Sequence, residues 1–358
     1  MNHLLLEQVQ GRINQTDKFD EMRIIRDQVH EMILKHLLLS HSMELHKTIN
    51  QIHDAMIARV IELSEQQMVD EGLGKPPLKY AFLLFGSGGR CEQTLWSDQD
   101  NGFIYEDSTD HSEQEVQKYF ERLVSKILDG LKILGYPPCQ GGVVSSNPQW
   151  RKSLSDYKSM LSGWFEEPVW EHVRYLLILA DVRGIYGDEP LVREIHQFFK
   201  DYIQRRPQIL KFMLSNTLHH KVHLGVFGQI ITERYGEDAG GLDIKYGAYI
   251  PLVNGIRLVA LKAGILASST IERIELLIEG GHIDSEHGTA WKEAFSIALK
   301  FRDLTPFQME DGLYITRGKL TAEQLTKETK RQLKYCLRAG TELQKLVRKT
   351  IEYDIEKK

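Results

Sequence analysis

Apolar residues recur at helical spacing over the first part of the chain. Val29, Ile33 and Leu37 repeat every four residues, which places them on one helical face. The later members of this stripe are Ile49, Ile52, Met56, Val60 and Leu63. A glycine- and proline-rich stretch that begins at Gly72 then ends the helical pattern. We therefore predict a helical hairpin or small bundle over 1–75; the alternatives are a coiled coil or a membrane-surface helix.

The pattern changes to that of an α/β segment between residue 78 and about residue 150. Short apolar runs bounded by turn residues predict strands at Leu78–Phe85 and Asn101–Tyr105. Apolar positions at helical spacing predict a helix over Ser112–Leu134. Val143-Val144, between glycine- and proline-containing turns, is a candidate third strand. These elements indicate a small mixed sheet with a covering helix.

The remainder of the chain has helical periodicity again. The predicted segments are 155–164, 168–182, 189–203, 207–233, 246–264, 269–279, 286–302 and 321–352. The fold class that follows is α+β and predominantly helical, with a small mixed-sheet core between two helical regions. We expect three domains: a helical N-terminal region (1–75), the core with its trailing helices (76–205) and a helical C-terminal domain (206–358).

Composition excludes several classes of protein. The chain has 358 residues, a net charge of −5 and no long block of like charge, so nothing favours a nucleic-acid or anionic-membrane partner. No apolar run approaches the roughly 18 residues that a membrane-spanning helix requires. The N-terminus lacks the features of a signal peptide, and three widely spaced cysteines fit a reducing compartment. We therefore expect a cytoplasmic location.

Candidate chemistry is concentrated between the first two predicted strands. Asp98 and Asp100 are two residues apart at the start of a strand, so their side chains should project to the same face. Two carboxylates held that close repel each other unless a cation lies between them. Mg²⁺ takes oxygen ligands, commonly one or two carboxylates together with substrate phosphates. The spacing therefore predicts a site for Mg²⁺ or Mn²⁺.

The turn that precedes the two aspartates can supply the phosphate contacts. Glycines such as Gly86 let backbone N–H groups approach phosphate oxygens, and a helix beginning at this turn would add its positive end. Ser87 offers a hydroxyl donor and Arg90 a bidentate fork. The sequence matches neither a P-loop nor a dinucleotide fingerprint, since it lacks the lysine of the first and the last glycine of the second. The alternative is a surface turn followed by a solvated acidic turn.

These motifs resemble those of the DNA polymerase β-like nucleotidyltransferase superfamily, in which a Gly-Ser loop precedes a strand-borne D-x-D. The spacing is similar to that of the branch containing the PII-protein uridylyltransferase and the glutamine-synthetase adenylyltransferase. Within this branch the chain resembles the signalling nucleotidyltransferases that are often fused to CBS or cyclic-nucleotide-binding modules and carry a C-terminal substrate-binding domain. The matching stretches are Gly86–Gln93, Ser97–Asp100, Cys139–Val144, Asn147–Trp150 and Gly241–Lys245 with Pro251 and Arg257.

The resemblance implies metal-dependent transfer of a nucleoside monophosphate from a nucleoside triphosphate (NTP) to an acceptor, in the manner of uridylylation or adenylylation of a regulatory protein. Asp98 and Asp100 would hold Mg²⁺ or Mn²⁺ and act in catalysis, and the phosphates would contact Gly86, Ser87 and Arg90. The family generally supplies a third carboxylate from a later strand, but 139–147 contains no acid. A catalytically silent nucleotide-binding signalling protein therefore stays open as the alternative, and a purely structural helical scaffold is disfavoured.

Other polar residues give weaker indications. Lys245 or Arg257 is expected to face the glycine turn from the C-terminal domain, and both are candidates for binding phosphate, the alternative being an ion pair inside that domain. Asp181 is expected to pair with Arg183 rather than to serve as the third acid. Three histidines in the pattern H-H-x-x-H (His219, His220 and His223) lack companion metal ligands, so polar positions on a helix are the favoured interpretation.

Overall fold

The computed structural model of the chain describes residues 3–39, 43–110, 112–218, 222–225 and 229–356. Residue contacts divide the chain into two units. The first comprises Met1–Met160, Val182–His196 and Phe307–Ile315, and the second comprises Leu161–Asp181, Gln197–Pro306 and Thr316–Lys358. The fold class is α+β and predominantly helical, as the sequence predicts. The three-part division at residues 75 and 205 stays a prediction.

Three long helices open the first unit: α1 (His3–Gln15), α2 (Phe19–Leu39) and α3 (Met43–Asp70). The apolar stripe predicted from the sequence is buried, with Val29, Ile33 and Val60 all at most 2 % exposed. The same apolar cluster contains Phe82 and Phe103 from the sheet. The N-terminal helices and the sheet thus share one hydrophobic core.

The sheet of the first unit has four strands: β1 (Tyr80–Leu84), β2 (Asn101–Tyr105), β3 (Arg151–Ser153) and β4 (Arg183–Gly187). Their spatial order is β3-β2-β1-β4, with β1 antiparallel to both neighbours and β3 parallel to β2. A four-residue helix, α4 (Gly86–Gly89), follows β1, and α5 (Glu113–Ile133) follows β2. The sheet is mixed, as expected, and β1 and β2 lead directly into and out of the candidate site.

The remaining helices are α6 (Leu154–Glu166), α7 (Trp170–Leu179), α8 (Glu189–Arg205), α9 (Ile209–Thr217), α10 (Ile250–Lys262), α11 (Thr270–Glu279), α12 (Ser285–Asp303) and α13 (Lys327–Glu356). A π-helical segment, Lys245–Tyr249, immediately precedes α10. Four short strands complete the chain: β5 (Leu242–Asp243), β6 (Phe307–Glu310), β7 (Leu313–Thr316) and β8 (Lys319–Leu320). None of the described helices combines the length and the apolar character needed to cross a bilayer.

Two sequence predictions of local structure are wrong, and one strand was not predicted. Val143-Val144 is not a strand; the third strand is β3, and Val143 instead accepts a backbone bond from Asn101 N at 3.0 Å. The helix predicted over 207–233 ends at Thr217, and the described residues that follow it in that range form turns and loops. The helix predicted over 168–182 is observed as α7, which ends at Leu179, and the strand β4, which begins at Arg183 and pairs with β1, was not predicted.

Candidate active site

Asp98 and Asp100 converge just before β2. Their carboxylate oxygens and the Cys139 sulfur all lie within 4.8 Å of one another, and all three side chains are partly buried. The chain is already extended at this point, because the Phe85 N–H donates to the Asp100 carbonyl at 2.9 Å. Residues i and i+2 of an extended segment share one face, which explains why the two carboxylates meet. The acid pair therefore has the geometry of a divalent-cation site.

Gly86 lies directly against the acid pair. Its φ is +52°, and an ideal Cβ built on it would approach Asp100 Oδ2 to less than 3.0 Å, which real Cβ atoms essentially never do. Position 86 thus favours glycine over every other residue for two independent reasons: the left-handed backbone and the proximity of the Asp100 carboxylate. The glycine turn and the acid pair, which the sequence predicts to act together, are in contact.

The segment that carries Cys139 is held beside the acid pair by hydrogen bonds. Gln99 N donates to the Pro137 carbonyl at 3.0 Å, and Gln99 Nε2 donates to the Tyr136 carbonyl at 3.0 Å. On the other side of Cys139, the Asn101 side-chain oxygen accepts from Ser145 N at 2.9 Å. These bonds run the segment alongside the D-x-D and place the thiol next to Asp100.

Cys139 is a site residue that the sequence analysis missed. Burial raises the pKa of its thiol to about 12, and the adjacent Asp100 carboxylate adds to this by its charge and by accepting the S–H hydrogen bond. The residue stands in the very segment where a third carboxylate was sought and not found. That mismatch was the available signal, because the cysteine is the only side chain of that segment that offers a thiolate, imidazole or carboxylate ligand.

Helix α3 supports the loop between the glycine turn and the acid pair. Asn50 makes two bonds to the Gln93 backbone, from its amide to the carbonyl at 3.2 Å and from Gln93 N to its oxygen at 2.9 Å. His53 lies between the Thr94 carbonyl, 3.2 Å from Nε2, and the Tyr136 hydroxyl, 2.6 Å from Nδ1. A neutral His53 that donates from Nε2 and accepts at Nδ1 satisfies both contacts.

Arg183 supports the glycine turn itself, which corrects its expected pairing with Asp181. Its guanidinium binds both Asp54 carboxylate oxygens, at 2.8 and 2.9 Å, and its Nη2 also donates to the Gly88 carbonyl at 2.9 Å. The burial of Arg183 would lower the pKa of its guanidinium, but the Asp54 hydrogen bonds and charge outweigh this and raise it. The turn is thereby tied to α3 through a bidentate ion pair.

Two of the predicted phosphate ligands have different surroundings. Ser87 is partly exposed on α4, and its carbonyl accepts from Glu92 N at 2.8 Å. Arg90 is only 4 % exposed, and its Nε donates to Glu92 at 2.7 Å. A phosphate contact from Arg90 would therefore require this buried ion pair to rearrange, whereas Ser87 needs no such change. The phosphate-binding roles of both residues stay predictions.

Comparison with known families agrees with this geometry. A family model described as "Putative nucleotidyltransferase DUF294" matches residues 25–171, which include the glycine turn, the acid pair and Cys139. A second model, "Putative nucleotidyltransferase substrate binding domain", matches residues 207–351. The chain belongs to this nucleotidyltransferase family. No curated protein matches the chain.

The substrate-binding-domain match of this family contains Lys245 and Arg257, which were predicted to bind phosphate. Lys245 is partly buried at the start of the π-helical segment, where the Asp243 carboxylate accepts from Tyr246 N at 2.8 Å. Arg257 is 5 % exposed and donates to both carboxylate oxygens of Asp181. Because Arg257 is committed to this buried pair, Lys245 is the better candidate for a ligand contact.

Asp181 is therefore a structural residue of the second unit of the chain. It is fully buried and also accepts from Arg273 Nη1 at 2.9 Å, so two guanidinium groups share one carboxylate. The prediction that it is not the third catalytic acid fits this arrangement, although its partners are Arg257 and Arg273. Of the three histidines singled out in the sequence, His219 and His220 lie outside the described residues, and His223 lies beside Gly247.

Proposed function

We propose that this protein is a divalent-metal-dependent nucleotidyltransferase that moves a nucleoside monophosphate from an NTP to a side chain of a regulatory protein. The observation that carries the proposal is the convergence of Asp98 and Asp100, with Asp100 so close to Gly86 that a side chain at position 86 would overlap its carboxylate. The family match supports the reaction class. The proposed uridylyl or adenylyl specificity and the proposed protein acceptor rest on the sequence resemblance alone.

The donor set of the site meets the requirements of Mg²⁺ or Mn²⁺. Two carboxylates a short distance apart suit a hard divalent ion that keeps its other positions for water and substrate phosphate. Asp98 and Asp100 would hold the ion, which supplies charge neutralisation at the triphosphate and lowers the barrier to attack by the acceptor hydroxyl. Gly86 and Ser87 would contact the phosphates through the backbone and hydroxyl donors of the turn. Lys245 would add positive charge, whereas Arg90 and Arg257, also predicted from the sequence to bind phosphate, are each held in a buried ion pair.

Incubation with each α-phosphate-labelled NTP, with Mg²⁺ or Mn²⁺ and with lysate proteins tests the proposal. Label should transfer to protein in the presence of metal, and Asp98→Asn should abolish transfer. Because Asp98→Asn removes half of a mutually repelling acid pair, it should leave thermal stability unchanged or raised. Wild-type rates of transfer in this variant would exclude the assignment of Asp98.

A second function is favoured by one specific observation. The third donor of the acid cluster is the Cys139 thiol and not a carboxylate, which weakens the case for family-type catalysis. A catalytically silent nucleotide sensor would bind NTP with metal and return it unchanged. Bound but unconsumed nucleotide in the same incubation would establish this alternative, and labelled protein would exclude it.

A further inference from the structure

Three possible metal-ligand atoms of two kinds lie close together at the candidate active site. Two are carboxylate oxygens, from Asp98 and Asp100, and the third is the Cys139 sulfur, whose S–H donates to Asp100. A sulfur and an oxygen bound to one tetrahedral ion lie about 3.6 Å apart, given typical metal–ligand bond lengths. The three atoms already lie within 4.8 Å of one another, so side-chain shifts of at most about 1 Å would bring all of them to one ion.

A fourth group at the same place points independently to a ligand. Gln93 is 3 % exposed, and its side-chain oxygen has no hydrogen-bond partner among the described residues. Gln93 is one of the residues that line a small cavity, together with Asp98, Asp100 and Tyr136; Cys139 is not part of this lining. An unsatisfied buried amide oxygen costs free energy unless a donor or a cation fills the space beside it. A cavity of about 10 Å³ is large enough for about one water molecule or one ion.

The mixed donor set has a preference among metals. Carboxylate and amide oxygens suit Mg²⁺, but thiolate is a soft ligand that selects ions such as Zn²⁺. For the same set of ligands, affinity rises along the first transition series, so Co²⁺ and Zn²⁺ bind more tightly than Mn²⁺. A sulfur in the place of a third carboxylate therefore shifts the site away from Mg²⁺.

We propose that Cys139 is a third metal ligand beside Asp98 and Asp100, and that the site binds an ion of the Co²⁺–Zn²⁺ class in preference to Mg²⁺. On binding, the Cys139 S–H bond breaks, its proton passes to solvent, and a sulfur–metal bond forms. The Gln93 amide oxygen accepts from a water on the ion or ligates the ion directly. The inference rests on the proposed metal site at the two aspartates and specifies the ion that fits it.

The test is the absorption spectrum of the metal-free full-length protein during titration with Co²⁺. A cobalt–thiolate bond produces a strong charge-transfer band in the near ultraviolet, whereas oxygen ligands alone do not. Wild-type protein should develop the band to one equivalent, and Cys139→Ser should bind Co²⁺ without it. Cys91→Ser is the matched control, since Cys91 is also partly buried but lies outside the donor cluster, and this variant should keep the band.

Competition titrations give the second readout. Cys139→Ser should lose at least about tenfold in affinity for Cd²⁺, a soft probe ion, while its affinity for Mg²⁺ changes by less than about twofold. Cys139→Asp should raise the affinity for Mg²⁺. Co²⁺ bound to wild-type protein without a charge-transfer band, a band that survives in Cys139→Ser, or failure of the wild type to bind Co²⁺ would each overturn the inference.

These outcomes are distinguishable from failure of the proposed function. Nucleotidyl transfer with Mg²⁺ but no cobalt–thiolate band leaves the transferase standing and removes Cys139 from the metal site. A band that depends on Cys139, in a protein that transfers no label, retains the metal site and removes the reaction. If Cys139→Ser does not fold, the wild-type spectrum with its Cys91→Ser control still decides the question.

Discussion

Substitution of Gly86 by alanine separates the role of the glycine turn in stability from its role in the site. Alanine at this position has to adopt φ of +52°, a left-handed conformation that costs a non-glycine residue about 1–2 kcal/mol. The new methyl group also overlaps Asp100 Oδ2, which is the end of a flexible side chain and can move away. The overlap therefore costs little folding free energy, but it displaces a proposed metal ligand.

The expected magnitudes differ for the two effects. The backbone term should lower the melting temperature by roughly 2–8 °C, because 1 kcal/mol corresponds to about 2–4 °C in a domain of this size. Restoring ordinary contact between the methyl group and the carboxylate requires a displacement of about 1 Å, and misplacement on that scale costs roughly 10²-fold in catalysis. We therefore expect a modest loss of stability with a severe loss of metal binding and label transfer.

Gly72→Ala is the matched control. Gly72 has φ of +76°, and nothing lies within 4 Å of an ideal Cβ built on it, so the substitution carries the backbone strain without the overlap. Calorimetric titration with Mn²⁺ and thermal unfolding, measured on both variants, should show similar losses of stability and a loss of metal binding in Gly86→Ala alone. The reasoning is refuted if Gly86→Ala binds Mn²⁺ like the wild type, or if Gly72→Ala loses binding as well.

Three further predictions concern titratable or charged groups other than the two aspartates. Burial, with nearby cationic side chains, lowers the pKa of His30 well below 6.5, so the unfolded chain takes up a proton below about pH 6.5 that the folded protein does not. As the pH is lowered below about 6.5, the free energy of unfolding should fall by up to about 1.4 kcal/mol per pH unit. Urea titrations at several pH values should show a smaller pH dependence of this free energy for His30→Gln. His36→Gln is the control, because His36 is exposed on the same helix, and it should keep the wild-type pH dependence. Arg257→Ala should cost roughly 3–5 kcal/mol of unfolding free energy, because it strips a partner from buried Asp181. Lys245→Ala should keep the stability of the wild type and weaken NTP binding by roughly one to two decades. An Arg257→Ala variant as stable as the wild type would contradict the first assignment, and wild-type NTP affinity in Lys245→Ala would contradict the second.

The sequence alone predicted the parts of the fold that local pattern determines. The β2 strand was predicted with its observed limits, and α5 to within one residue at each end, since strong periodicity and turn residues mark both. The strand β4 was missed, because Arg183–Gly187 has no alternation of its own and becomes a strand only by pairing with β1. Long-range pairing of this kind leaves no local pattern.

The candidate site divides in the same way. The proximity of Asp98 and Asp100 followed from their spacing, and the contact between the glycine turn and the acid pair followed from the resemblance. Cys139 entered the sequence analysis only as part of a matching stretch and as one of three widely spaced cysteines. Its neighbour is Asp100, and only the folded chain brings the two together.

The polar face of α3 explains why the N-terminal helices and the nucleotidyltransferase core form one unit. Asn50, His53 and Asp54 recur at helical spacing, and each bonds a different part of the site: the Gln93 loop, the Tyr136 segment or, through Arg183, the glycine turn. These polar positions are interspersed with the apolar residues of the helix, so hydrophobic periodicity alone marks them as interruptions and does not reveal their hydrogen bonds. Buried polar networks restrict the geometry of the segments they join, because any displacement leaves more groups unpaired in a low-dielectric interior. Helix α3 thereby holds the three segments of the site in register, and the family match, which begins at residue 25, includes this helix.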